Sequence, residues 1–136
     1  MIEIHDIIEL QTNTETEMLS FATRYLVYEN FTFDLTALAN KFSGTSHFCV
    51  RRQEIAKFCD DLQLMYSTLK GNAILTDNDS DGFVELSITQ SGQLNVKGQV
   101  GGSHEEYFLK FAFRTDQTTI PKFIQDFRTL LQNEYN

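Results

Sequence analysis

The residues best placed to do chemistry are three aspartates at alternate positions, Asp77, Asp79 and Asp81, followed at once by Gly82. Oxygen donors at positions 1, 3 and 5 of a loop, with a glycine at 6 for the sharp turn, form the first half of an EF-hand calcium site. The second half departs from that pattern. Counted from Asp77, the position that needs a bidentate glutamate is Ile88, and Glu85 lies three residues too early. Val84, Leu86 and Ile88 also alternate with Glu85, Ser87 and Thr89, so a strand follows the loop where an EF-hand has a helix. Two readings follow. Residues 77–82 form a hairpin tip of turn-prone Asp, Asn and Gly, or they form a weak divalent-ion site on Asp77, Asp79 and Asp81. On either reading the carboxylates are expected on a solvated tip, where they can meet a basic partner.

No other group of residues makes a stronger chemical signal. His47 and Cys49 stand two apart on a strand and so share a face, but Phe48 and Val50 beside them read as core. His5, His47 and His104 are scattered, without a metal-ligand spacing. Asp60 and Asp61 fall off the apolar stripe of a helix, and Glu105 and Glu106 open a strand on opposite faces, so neither pair resembles a general acid facing a general base. Gly101-Gly102 lacks the glycine spacing of a phosphate loop. No catalytic residue and no cofactor is assigned. A small enzyme of unrecognised type is carried as an alternative to a binding protein.

Two helices and about seven strands position these residues. Ile55, Phe58, Leu62, Met65 and Leu69 recur at three- and four-residue spacing, predicting a helix over 52–70 that Gly71 ends in the left-handed conformation. Ile120, Phe123, Phe127, Leu130 and Leu131 predict a second over 119–133, with Pro121 in its first turn. Asp116 and Thr118 are assigned as structural caps at its start, Asp116 accepting backbone N–H bonds. Strands are expected over 21–28, 31–37, 42–50 (interrupted at Gly44), 72–77, 82–90, 93–100 and 105–114. This order predicts an α+β fold: a mostly antiparallel sheet of about seven strands with two amphipathic helices packed on it, in a single domain over 1–136.

Composition sets the remaining bounds. The chain has 136 residues, 41% of them hydrophobic, with twelve Phe and a net charge of −8. That is enough apolar surface for a core without disulfides or a structural metal. Clustered basic residues are missing apart from Arg51-Arg52, which argues against nucleic acid as a partner. Cys49 and Cys59 fit buried thiols in a reducing compartment. The opening MIEIHDIIEL has acids at 3, 6 and 9 and no basic region, unlike a signal peptide, and no apolar run is long enough to span a membrane. A cytoplasmic protein, monomeric or homodimeric, is expected.

The order of motifs carries a resemblance. Phe42-Ser-Gly, Val50, the helix with Phe58 and Leu62, Leu69-Lys-Gly-Asn-Ala and the turn at Ser91-Gly92 lead to Leu109-Lys-Phe-Ala-Phe-Arg-Thr-Asp-Gln-Thr118 and the last helix. Over roughly residues 20–133 this is similar to the WapI-type immunity proteins of bacterial polymorphic toxin systems. The resemblance implies a small cytoplasmic protein that binds and neutralises a toxin domain, often a nuclease, and it implies no catalytic residues. Beside it, the acidic balance suggests a basic toxin domain as partner, with Asp60, Asp61, Asp77, Asp79 and Asp81 as the contact candidates.

Overall fold

The computed structural model describes residues 1–102 and 107–133. Strands β1 (Ile2–Glu3), β2 (Ile7–Leu10), β3 (Glu17–Val27), β4 (Asn30–Ala39) and β5 (Phe42–Arg51) lead into helix α1 (Arg52–Thr68). Strands β6 (Asn72–Thr76), β7 (Phe83–Ile88), β8 (Leu94–Gly101) and β9 (Phe108–Thr115) follow. A short 3₁₀ turn (Gln117–Thr119) then opens into α2 (Ile120–Gln132). The α+β class holds, with every strand pairing antiparallel, but the strands form two sheets instead of one. The first has the order β1-β3-β4-β5, with β2 also on β3; the second is the meander β6-β7-β8-β9. A run of strands ending in a helix thus occurs twice.

The sequence reading gave no element to the first twenty residues, yet β1 and β2 lie there, antiparallel to β3. Both are too short to show a clear alternation of their own. Only Ile4, Ile8 and Leu10 reveal them, by burial. In β3 the register slips between Thr23 and Tyr25. Such a bulge changes which face the following residues take, so Leu26 is buried and Tyr25 only partly so. Strand β5 runs unbroken through Gly44, which pairs with Ala37. Gly44 marks where the sheets meet: a Cβ there would lie 3.2 Å from side-chain atoms of Leu109 and Val100. In β8, Gly98 has a sharper reason. A Cβ would sit 2.2 Å from the Phe83 carbonyl oxygen and 2.8 Å from the Phe111 ring.

The core is largely aromatic. Phe21 of β3, Phe33 of β4 and Phe48 of β5 point from the first sheet to Phe58 of α1 and to Phe123 and Phe127 of α2. The two helices pack on each other, and α1 also runs along β6. Arg52 ties the start of α1 to the end of α2. Its guanidinium donates to the Leu131 carbonyl, pairs with Glu29 at 3.3 Å and lies over the Phe31 ring. Helix α1 ends two residues earlier than expected. Leu69, at φ 58°, takes the left-handed cap and donates its N–H to the Met65 carbonyl, with Gly71 at φ 97° only the second residue beyond it.

Candidate interaction surface

The Asp77 loop is a clip between the two sheets. Asp77 is only 4% exposed. Its Oδ1 accepts the N–H groups of Cys49 at 2.9 Å and Asp79 at 3.0 Å, and its Oδ2 accepts the Ser80 hydroxyl. Ser80 Oγ in turn accepts the Gly82 N–H at 2.9 Å. Asn78 donates its own N–H to the Cys49 carbonyl at 2.9 Å and its amide to Glu54 Oε1 at 3.0 Å. Glu54 Oε1 also accepts the Arg51 N–H at the start of α1. The edge of β5 is therefore closed at Cys49 by the tip of the β6–β7 hairpin. This corrects the picture of three carboxylates on one solvated tip: Asp77 faces inward, while Asp79 and Asp81 are exposed. With both its oxygens holding protein donors, Asp77 has little left to offer a cation. Among the described residues, no group of three or more His, Cys, Asp or Glu side chains is arranged to hold a metal ion.

The other acidic candidates sit elsewhere. Asp60 pairs with Arg128 of α2 at 3.1 Å, and Asp61 pairs with Lys57 one turn back at 2.7 Å. Asp61 borders a groove with Leu64, Met65 and Asn72, at the end of β6 away from the Asp77 loop. The five aspartates thus occupy two places. Asp116 N-caps the 3₁₀ turn before α2, its Oδ1 accepting the Thr118 N–H at 2.9 Å. Thr119 stands at the N-cap of α2 itself without a side-chain bond. Asp116→Ala is expected to lower stability by about 1 kcal/mol, read as a shift in the urea midpoint. A stability loss below about 0.3 kcal/mol would show that the bond adds nothing in solution.

His47 is exposed and Cys49 half-buried on the outer face of the first sheet. Burial raises the Cys49 thiol pKa, and the charge of Asp79 raises it further. A nucleophilic cysteine needs the opposite shift. Burial pushes the Cys59 thiol up to about 11. Both thiols are therefore expected to react more slowly than a free thiol at pH 8, Cys59 the more so. The linkage has a definite sign: a thiol raised from 9.0 to about 11 keeps its proton longer when folded. Its contribution is complete below pH 9 and is lost as pH rises toward 11. Cys59→Ala should flatten that alkaline loss, and an unchanged profile would count against the buried thiol.

A second exposed region is largely hydrophobic, with Glu17 the one acid among the described residues that line its grooves. Three large hydrophobic side chains lie open near the point where the sheets meet: Phe42 (69% exposed), Tyr107 (82%) and Phe108 (58%). Grooves of about 280 and 480 Å³ run between the start of β5 and the edge of β9, sharing Leu109 as a wall. Phe42 and Phe108 are contact candidates that sequence reasoning missed. In the sequence, Tyr107, Leu109, Phe111 and Phe113 alternate along one face of β9. The other face, Phe108, Lys110, Ala112 and Arg114, is the exposed one.

A match to a family model now places this arrangement. The immunity protein WapI-like family matches residues 26–134. The chain belongs to that family. The match takes in all of β4 through α2 and so includes the WapI-like protein's Asp77 clip, both helices and β9. It leaves β1, β2 and most of β3 outside. No curated protein sequence matches. Among solved structures, one titled crystal structures of Trypanosoma bruciei MRP1/MRP2 is similar over 94% of this chain and 84% of that chain, with a TM-score of 0.56 and 6% identity. At that identity the likeness is one of fold. No described helix of the WapI-like protein is long and apolar enough to cross a membrane.

Proposed function

We propose that this WapI-like protein is a non-enzymatic, cytoplasmic immunity protein that binds and neutralises a cognate toxin domain, acting as a monomer or homodimer. The observation that carries the reading is the family match over residues 26–134. The raised Cys49 thiol supports it, because burial shifts that group away from the thiolate a nucleophile needs. A basic toxin domain suits the net charge of −8, which would steer association and shield the toxin's substrate groove. The acidic contacts would be Asp79 and Asp81 on the clip and Asp60 and Asp61 on α1. Asp77 would serve them from behind by holding the loop in shape.

The test is co-expression with the carboxy-terminal domain of a large secreted protein encoded beside this gene, together with purification of the pair. Tight binding and lost toxicity are expected, with affinity falling as salt rises. Asp79→Lys with Asp81→Lys, and separately Asp60→Lys with Asp61→Lys, should tell which acidic site faces the toxin. Protection that survives both charge reversals and shows no salt dependence would remove the acidic contacts. Full toxicity in the presence of the folded protein would remove the immunity role for that partner.

A further inference from the structure

We propose that the open edge of β9 takes an extended acidic segment of a protein partner as an added strand. The proposal rests on the protein-binding part of the reading above and not on the partner being a toxin. Strand β9 pairs with β8 on one side only. The other long edge, β5, is clipped at Cys49 by the Asp77 loop and packed against Leu109 and Val100 at Gly44. Edge β6 lies along α1, and β1 and β2 are short. On its open side β9 has no backbone hydrogen bond to another element among the described residues; Leu109 through Ala112 form one wall of the larger groove, and Glu17, Ala39, Asn40 and Phe42 at the tip of the first sheet form the other. Because consecutive residues point to opposite faces, four in a row bordering one groove place that groove along the strand's edge. An unpaired edge of this length is a template for another strand.

Charge decides the occupant. The outer face of β9 carries Phe108, Lys110, Ala112 and Arg114, and Lys97 stands opposite Ala112 on β8. Lys97 pairs with Glu85 at 3.5 Å, whereas Lys110 and Arg114 have no ion-pair partner within 4 Å among the described residues. Against the one carboxylate that lines the groove, Glu17, the two outward cations leave the described patch positive on a chain of net charge −8. A second copy is disfavoured by it. Antiparallel β9 edges centred on Ala112 would set Lys110 opposite Arg114, and those centred on Lys110 would set it opposite itself. Like charges directly opposite destabilise a strand pair. A foreign strand with carboxylates four residues apart meets both cations. Read antiparallel, its next outward residue beyond the acid facing Lys110 is apolar and packs on Phe108. At physiological salt the Debye length is about 8 Å, so these local cations outweigh the repulsion from distant acids.

The probe is a synthetic peptide with blocked ends, Thr-Glu-Thr-Val-Thr-Glu-Thr-Phe-Thr, and its counterpart with Lys in place of both Glu. Amide hydrogen exchange of the full chain is followed at physiological ionic strength with millimolar peptide. Slower exchange confined to β9 is expected with the acidic peptide and not with the basic one. The double variant Lys110→Glu, Arg114→Glu, with thermal unfolding unchanged, should bind the acidic peptide about tenfold more weakly and now bind the basic one. No protection of β9, protection elsewhere, or equal effects of the two peptides would overturn the proposal. So would a concentration-dependent dimer of the free chain that buries β9.

Discussion

Phe127→Ala is expected to remove about 4 kcal/mol of stability, the largest loss from any single truncation considered. Phe127 is fully buried, and its ring meets four others: Phe123 at 5.1 Å, Phe21 at 5.2 Å, Phe58 at 6.0 Å and Phe33 at 6.4 Å between centroids. Three of the four contacts lie on other elements, β3, β4 and α1. Truncation therefore leaves a cavity that no single side chain can fill by changing rotamer, and the edge-to-face contacts are lost with the buried area. Against a typical total of 5–15 kcal/mol, that brings the fold close to its limit. The urea midpoint should drop with an unchanged slope. Phe127→Leu, which keeps much of the volume, should cost under about 1.5 kcal/mol. A loss below about 1 kcal/mol for the alanine variant would mean that α2 is not seated on the aromatic cluster.

This core shows what the sequence could tell. Phe123 and Phe127 announced themselves through helical spacing, and Phe31, Phe33 and Leu35 through strand alternation, because burial on one face imposes a period. The same logic missed β1 and β2, whose few buried residues are too sparse to show a period. It also failed at the bulge after Thr23, where the period changes phase. That there are two sheets and not one is a matter of long-range strand pairing, which no local pattern encodes. The candidate surfaces divide in the same way. Asp116 was legible because a cap acts within two residues of itself. The open edge of β9 was not, since an edge is defined by a missing neighbour. Asp77 lay between these cases: its residue type and turn were clear, but its burial comes from Cys49, twenty-eight residues earlier in the chain.

Asp77→Ala tests that point, with an expected loss of about 3 kcal/mol. The wild-type carboxylate satisfies three donors, the N–H groups of Cys49 and Asp79 and the hydroxyl of Ser80. Alanine strands the Cys49 N–H at a closed sheet edge, and donors left unpaired away from water carry the full desolvation cost. The loss should spread beyond the loop. Asn78, which bonds the Cys49 carbonyl and Glu54, is held in place by the same turn, so the start of α1 should exchange its amides faster. Asp77→Asn separates the two roles a carboxylate might have here. Its amide oxygen can still accept from Cys49 and Asp79, while its amide nitrogen meets a Ser80 hydroxyl that already accepts from Gly82, so a loss nearer 1 kcal/mol is expected. A structural clip makes that ranking, alanine worse than asparagine worse than wild type, independent of calcium. A calcium site would instead raise the wild-type midpoint with ion concentration and leave both variants unresponsive. A wild-type midpoint that climbs with millimolar calcium would therefore overturn the clip as the reason for these aspartates.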